Sequence, residues 1–275
     1  MVKSILLILS VFILLQAGCE IDHGLAPIPG KLRARVAFRG TPPEDTQGVY
    51  MIVAPQFPPH AINELYQSPN SLPVGQDTVY TEIDLPYGHY EAFGLWWYSK
   101  DTRSNLADIL ALPHDGITGE PIGFDLSPEE PIAEKVMHAN WGDMNRDAAL
   151  KGTVYFDGDF PSNTNITAVA AFSGRPITSI HYLVWLRAID ITIETGVRSH
   201  QFNLPVKSGH IGYIAIFWLA ENAPIYDIKI IADARDPSNP EKVWSKTLHA
   251  DETVEGIEIH VDWNNPQPVF PEETP

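Results

Sequence analysis

An all-β chain of two tandem antiparallel β-sandwich domains related by duplication is the fold class that these 275 residues predict. Three observations carry the expectation. Apolar and polar residues alternate at period two in many short runs, the pattern of half-buried strands. The chain holds 24 prolines, which argues against long helices. Three blocks of sequence recur in the same order roughly 120 residues apart, a period far longer than that of a solenoid, so each copy should be a complete domain with its own core.

Taken from the N-terminus, Lys3 followed by ILLILSVFILL (residues 5–15) reads as a signal peptide over residues 1–18, because the apolar run is too short to span a bilayer. The only cysteine, Cys19, follows at once. A lone thiol excludes a disulfide within the chain and a zinc site built on several thiolates. Ala17-Gly18-Cys19 resembles the lipobox of bacterial lipoproteins, with Gln16 standing where leucine is expected and Leu15 one place earlier. The resemblance implies that Cys19 is acylated and becomes the new N-terminus, and that Glu20, in place of aspartate, directs the protein to an outer membrane if the host has one. Each buried lipid methylene contributes about 0.8 kcal/mol, so two or three acyl chains anchor permanently. Residues 19–30 then form a tether. An ordinary secreted protein with a spare thiol is the alternative reading.

The duplication is read from its blocks. LSPEEPIAEKVMHANW (Leu126 to Trp141) aligns without a gap to LHADETVEGIEIHVDW (Leu248 to Trp263) at a shift of 122, and LRARVAFRG (Leu32 to Gly40) aligns to LKGTVYFDG (Leu150 to Gly158) at a shift of 118. IDLPYGHYEAFGLWW (Ile83 to Trp97) matches FNLPVKSGHIGYIAIFW (Phe202 to Trp218) if two residues are inserted before Gly209-His210. The expected domains are residues 31–142 and 148–264, joined by the short polar segment from Gly142 to Asp147. Residues 265–275, rich in proline and glutamate, read as a disordered acidic tail.

Within the copies, Ile257, Ile259, Val261 and Trp263 share one face of a strand and the polar residues between them share the other. Val154, Phe156, Val169, Ala171, Ile214, Ile216 and Trp218 extend the reading. Only Ile62 to Tyr66 and Ser104 to Leu112 have a faint helical pattern. The order of a G-x-V-x-F strand, a proline-rich turn, a V-x-V-A strand and an F-x-L-P segment leading to an apolar strand resembles the transthyretin-like or carboxypeptidase-regulatory-like members of the Ig-like β-sandwiches. The residues that carry this are Gly152-Thr153-Val154, Ala168 to Phe172, Phe202-Asn203-Leu204-Pro205, Gly209 and Tyr213, with Leu85-Pro86, Gly88 and Tyr90 in the first copy. The resemblance implies a binding or scaffold role, not an active site.

The chemistry searched for in the sequence is sparse. A net charge of −17 repels nucleic acid and anionic headgroups, so no nucleic-acid partner is expected. Ten histidines include no H-E-x-x-H or H-x-H, and no cofactor or metal is expected. His138 and His260 recur between copies and should face solvent. Asp157-Gly158-Asp159 with Asn163 and Asn165 offers oxygen ligands, but its counterpart Arg39-Gly40-Thr41 keeps no acid and a turn is the simpler reading. No G-x-S-x-G is present.

One feature points to binding. If Trp97 and Trp218 are equivalent core residues, alternation puts Tyr90, Ala92, Gly94, Trp96 and Tyr98 on the opposite face, matched by Ile211, Tyr213, Ala215, Phe217 and Leu219. Both faces of the strand are then apolar, and something must cover the second one. Residues 55–77 and 173–198 folding over it, or the two domains packing there, would do so, with Ile180 to Leu186 as the lid of the second copy. Otherwise Trp96, Tyr98 and Tyr90 form an exposed aromatic platform for a glycan or envelope protein.

The expected function is therefore that of a non-enzymatic, lipid-anchored cell-envelope lipoprotein acting as a binding or scaffold module. The alternatives are a carbohydrate-binding accessory protein that uses the aromatic face, and a hydrolase with an unrecognised carboxylate pair. The anchor makes a direct prediction: Cys19→Ser moves the protein from the membrane pellet to the soluble fraction after cell lysis, whereas retention in the pellet rules out acylation at this position.

Overall fold

A computed structural model describes residues 30–100, 106–116, 119–176 and 181–265. The signal segment 1–18, Cys19, the tether up to residue 29 and the tail from residue 266 lie outside the described residues. The first half contributes β1 (Gly30–Arg39), β2 (Thr46–Ala54), β3 (Tyr66–Gln67), β4 (Thr78–Leu85), β5 (Gly88–Tyr90), β6 (Ala92–Ser99), β7 (Ile109–Ala111), β8 (Phe124–Leu126) and β9 (Ile132–Asn140). The second contributes β10 (Ala148–Asp157), β11 (Thr164–Phe172), a one-turn helix α1 (His181–Val184), β12 (Leu186–Asp190), β13 (Ser199–Val206), β14 (Gly209–Ile211) and β15 (Tyr213–Ala220). It ends with β16 (Lys229–Asp233), β17 (Arg235–Asp236), β18 (Asn239–Val243), β19 (Lys246–Leu248) and β20 (Thr253–Asp262). Of the two faintly helical segments, Ile62 to Tyr66 holds the single 3-10 turn Ile62–Glu64, and Ser104 to Leu112 holds the turn Leu106–Asp108 followed by β7, with Ser104 itself outside the described residues.

Each half is a sandwich of a three-stranded and a four-stranded sheet. The first pairs β4-β1-β9 with β3-β2-β6-β7, and the second pairs β13-β10-β20 with β12-β11-β15-β16. A β5-β8 or β14-β19 ribbon sits at the end of each. No sheet among the described residues mixes strands of the two halves. The ladders are antiparallel with one exception in each half: β1 runs parallel to β9, and β10 runs parallel to β20. Alternation within a strand fixes its faces but carries no information on the direction of its partner, so this exception was not readable from sequence.

Alternation does fix the cores. Ile257, Ile259, Val261 and Trp263 are all buried, as are Val154 and Phe156 opposite them. One cluster, from Leu32 to Met144, fills the first sandwich, and another, from Ala148 to Trp263, fills the second. The repeat shows in matching contacts. Phe38 stacks on Trp141 with ring centroids 5.1 Å apart and 11° between planes, and Phe156 lies parallel to Trp263 at 6.3 Å and 10°. The Trp97 indole N–H donates to Thr46 Oγ1 at 3.0 Å, and that of Trp218 donates to Thr164 Oγ1 at 2.9 Å. Gly40 and Gly158, which end the first strand of each half, share the left-handed region at φ 80° and 83°, where a side chain would be strained.

Register corrects one detail of the alignment. Leu32 faces Ile83, and its equivalent Leu150 faces Leu204. Two residues therefore separate each β4-type strand from the following ribbon strand, with no insertion before Gly209. The shared Leu-Pro pairs are out of step: Pro86 follows its strand, whereas Pro205 lies inside β13 opposite Ala149.

The joint between the halves is held from both sides. The Arg146 guanidinium lies 3.5 Å from the buried Asp108 carboxylate, donates to the Ala107 carbonyl at 3.2 Å, and sits over the Trp97 ring at 5.9 Å. Burial lowers the pKa of Arg146, and the charges of Asp108 and Asp45 oppose that shift. The next residue, Asp147, grips the second half: its carboxylate accepts from the Ser208 N–H at 2.6 Å and from the Ser208 hydroxyl at 2.9 Å, and its carbonyl accepts from the Asp251 N–H at 2.6 Å. Arg146→Ala removes the contacts with Asp108, the Ala107 carbonyl and the Trp97 ring together, and is expected to lower unfolding stability by about 1–3 kcal/mol in urea denaturation at neutral pH. A loss below about 1 kcal/mol would mark the pair as a solvent-screened contact.

Candidate functional site

The three aromatic residues expected to form an open platform do not share one. Tyr90 is only 3% exposed and belongs to the first core, stacked on Phe124 with centroids 5.0 Å apart. Its orientation differs from simple alternation because Glu91 interrupts the strand between β5 and β6, resetting the parity. The Tyr90 hydroxyl donates back to the Pro86 carbonyl at 2.7 Å, the geometry of a tyrosine corner, and burial pushes its pKa up to about 12. Trp96 lies on the second face of β6 as expected, but it is 5% exposed. Tyr98 is half-buried, with its hydroxyl donating to Gln67 Oε1 at 2.9 Å and its ring edge-on to Tyr50.

The cover over Trp96 comes from both halves. Around it lie Phe57 and Pro59 from the connection after β2, Leu106, Ile109 and Leu112 from the first half, and Leu183 from α1 of the second. The matching face of the second sandwich, with Ala170, Phe172, Ala215 and Phe217, forms a third apolar cluster that includes Ala107 of the first half. Pro58 and Pro59 approach Ile225 and Ile228 there, and the Ile225 N–H donates to the His60 carbonyl at 3.1 Å. Of the segment expected as a lid, Ile180 lies outside the described residues, and Tyr182 of α1 meets Phe217 edge-on at 5.6 Å. Long connections and the opposite half together close both apolar faces.

Two larger concave regions are found among the described residues. One is a groove of about 970 Å³ on the outer face of the β4-β1-β9 sheet. Arg35 of β1 is flanked there by Tyr80 of β4 and Val136 of β9 in one cross-strand row, with Asn70 and Pro73 of the preceding loop at the side. Tyr80 is 79% exposed and Val136 49%. The other is a cleft of about 550 Å³ at the junction of the halves, lined by residues that include Leu110, His114 and His138 on one side and Arg187, Lys207 and His210 on the other.

Several other titratable groups are tied into local structure. Asp233 is buried, and burial raises its pKa against the opposing Arg235 charge and the Tyr213 hydroxyl 3.3 Å away. Burial also drives the Tyr213 phenol upward. Burial raises the Asp190 pKa too, but hydrogen bonds from Thr192 and from His200, at 3.1 Å, outweigh it and leave the carboxyl below its ordinary value. His138 and His260 are exposed, and His260 stacks on Tyr155 at 5.0 Å. The Asp157 side chain accepts from the Gly158 N–H in a turn, and Asp159 faces Arg198. Among the described residues, no three His, Cys, Asp or Glu side chains come close enough to hold a metal ion. Sequence reasoning missed Tyr80, Arg35 and Arg187; the exposed aromatic on a polar strand face, T-V-Y-T-E, was the signal available for the first.

No known protein family matches the chain, and no curated protein matches it. Among solved structures it is similar to a leucine-rich repeat protein from Bacteroides thetaiotaomicron, at 10% identity and a TM-score of 0.35, covering 86% of this chain and 26% of that one. It is also similar to a streptococcal ancillary pilin, at 14% identity and 0.24, covering 88% and 64%. The fimbrial anchor protein from Porphyromonas gingivalis aligns at 12% identity and 0.23, covering 79% and 82%. The chain thus spans about a quarter of the first of these proteins and just under two thirds of the second. At such TM-scores the likenesses carry no argument about function.

The Trp96 indole N–H is buried with no hydrogen-bond partner among the described residues. Trp96→Ala is therefore expected to act on stability, with a loss of about 3–5 kcal/mol in chemical denaturation. Trp96→Phe should lose much less, because it keeps a ring and removes the unpaired donor. Wild-type stability in Trp96→Ala would contradict the buried position.

Proposed function

We propose that the chain is a non-enzymatic binding module held at the cell envelope through an acylated Cys19. Its halves, residues 31–142 and 148–264, are two sandwiches of the transthyretin-like kind, and the open groove beside Tyr80 is its glycan-binding surface. The observation that carries the binding role is the row Tyr80, Arg35, Val136. A large ring stands 79% exposed beside a guanidinium that makes no ion pair among the described residues.

Such a row suits a sugar. The flat tyrosine face accepts the apolar C–H side of a pyranose ring, a contact worth about 0.5–1.5 kcal/mol by analogy with ring pairs, while Arg35, Asn70 and Glu134 offer donors and acceptors to its hydroxyls. The row belongs to the first half alone. The equivalent positions of the second half are Gln201, Thr153 and Glu258, which have neither ring nor cation. An aromatic and an arginine kept on an exposed strand face, where neither contributes to a core, are better explained by a ligand than by folding.

Tyr80→Ala tests this reading. On a glycan array the variant is expected to lose the wild-type signal, with binding to the best-recognised glycan falling roughly tenfold or more and the thermal midpoint unchanged. An undiminished array signal in the variant, or no signal from the wild type, would remove the groove from the account.

A further inference from the structure

We propose that the cleft between the two halves binds a carboxylated sugar of monosaccharide size, a hexuronate, whose carboxylate pairs with Arg187. This site is separate from the Tyr80 groove and does not depend on it.

The argument begins with charge. In a chain of net −17, the cleft is lined by Arg187 and Lys207 against the single carboxylate of Asp143. That carboxylate is already engaged, with Lys207 Nζ 2.8 Å from Asp143 Oδ1. Arg187 spends only one terminal nitrogen, Nη1, on the carbonyls of Leu186, at 3.1 Å, and Val184, at 3.4 Å. Its Nε and Nη2 face no protein acceptor among the described residues. Burial works against this guanidinium and lowers its pKa, and the charge of Asp143 offsets the effect only in part. A half-buried cation with a free pair of parallel N–H groups matches the fork of a carboxylate, and an incoming anion would relieve the desolvation that Arg187 bears.

The rest of the cleft describes the body that carries the carboxylate. Leu110, Leu112, Leu183 and Leu186 give an apolar wall, and Ser173 and His210 give a polar one. A pyranose ring presents both kinds of surface, whereas a bare inorganic anion presents only the polar one. The volume of about 550 Å³ lies within the range of small-molecule pockets. The walls come from both halves, so a bound sugar bridges them across the joint held by Arg146 and Asp147.

The test is isothermal titration calorimetry of the full chain carrying Cys19→Ser with D-glucuronate, D-galacturonate, D-glucose and sodium sulfate. At least one uronate is expected to bind one to one, with glucose and sulfate each at least roughly tenfold weaker. Arg187→Gln should abolish uronate binding, and Arg187→Lys, which keeps the charge but not the fork, should retain a weakened fraction of it. Because Arg187 also steadies the start of β12, Leu112→Glu serves as a second variant: it leaves those carbonyl bonds intact, places a like charge in the cleft, and should weaken uronate binding by a similar factor. Absence of heat with both uronates, sulfate binding as tightly as a uronate, or full binding in Arg187→Gln or in Leu112→Glu would each overturn the assignment.

Discussion

The structure depends on one constraint: the central strands of each sandwich are apolar on both faces, and the second face has to be taken out of water. β6 reads Ala-Phe-Gly-Leu-Trp-Trp-Tyr-Ser and β15 reads Tyr-Ile-Ala-Ile-Phe-Trp-Leu-Ala, buried along nearly their whole length. Large aromatic groups such as Trp96, Phe172 and Phe217 each represent about 150–250 Å² of surface, and covering them on both sides at once brings the two halves together. The short joint follows from that requirement. Arg146 and Asp147, neighbours in sequence, each fasten to a different half and keep the two faces opposed.

This arrangement decides which surfaces are left for ligands. The aromatic faces are spent on internal packing, and open concave surfaces lie instead on the outer sheet of the first half and at the seam where the halves meet. The duplication has diverged at these places and held at the core. Phe38 with Trp141 and Phe156 with Trp263 keep one architecture, while Tyr80, Arg35 and Val136 have become Gln201, Thr153 and Glu258. Conserved packing beside altered exposed rows is how one scaffold takes on a role in only one of its copies.

Much of the fold was legible in the residues because alternation and repetition are local signals. The inward positions of β20, the matched tryptophans and the lid around Tyr182 follow from them. What was not legible is non-local. The parallel pairing of β1 with β9 needs the pairing partner, and the true register of Leu204 needs its neighbour Leu150. The orientation of Tyr90 turned on a single residue, Glu91, that breaks the strand. The burial of Trp96 is non-local for the same reason: a strand pattern states that a face is apolar but not what lies against it. Arg187 carried no motif at all, and its significance appears only when Lys207, Asp143 and the leucine wall are brought beside it.

The parallel pairing of the first and last strands of each half has a mechanical meaning. In each half the chain enters through one of these strands and leaves through the other, side by side and pointing the same way. A pull applied between the entry of β1 and the exit of β9 slides the two strands lengthwise, so the ladder resists as a whole instead of opening one rung at a time. A load applied between the two ends of either half therefore meets that half in its strongest geometry.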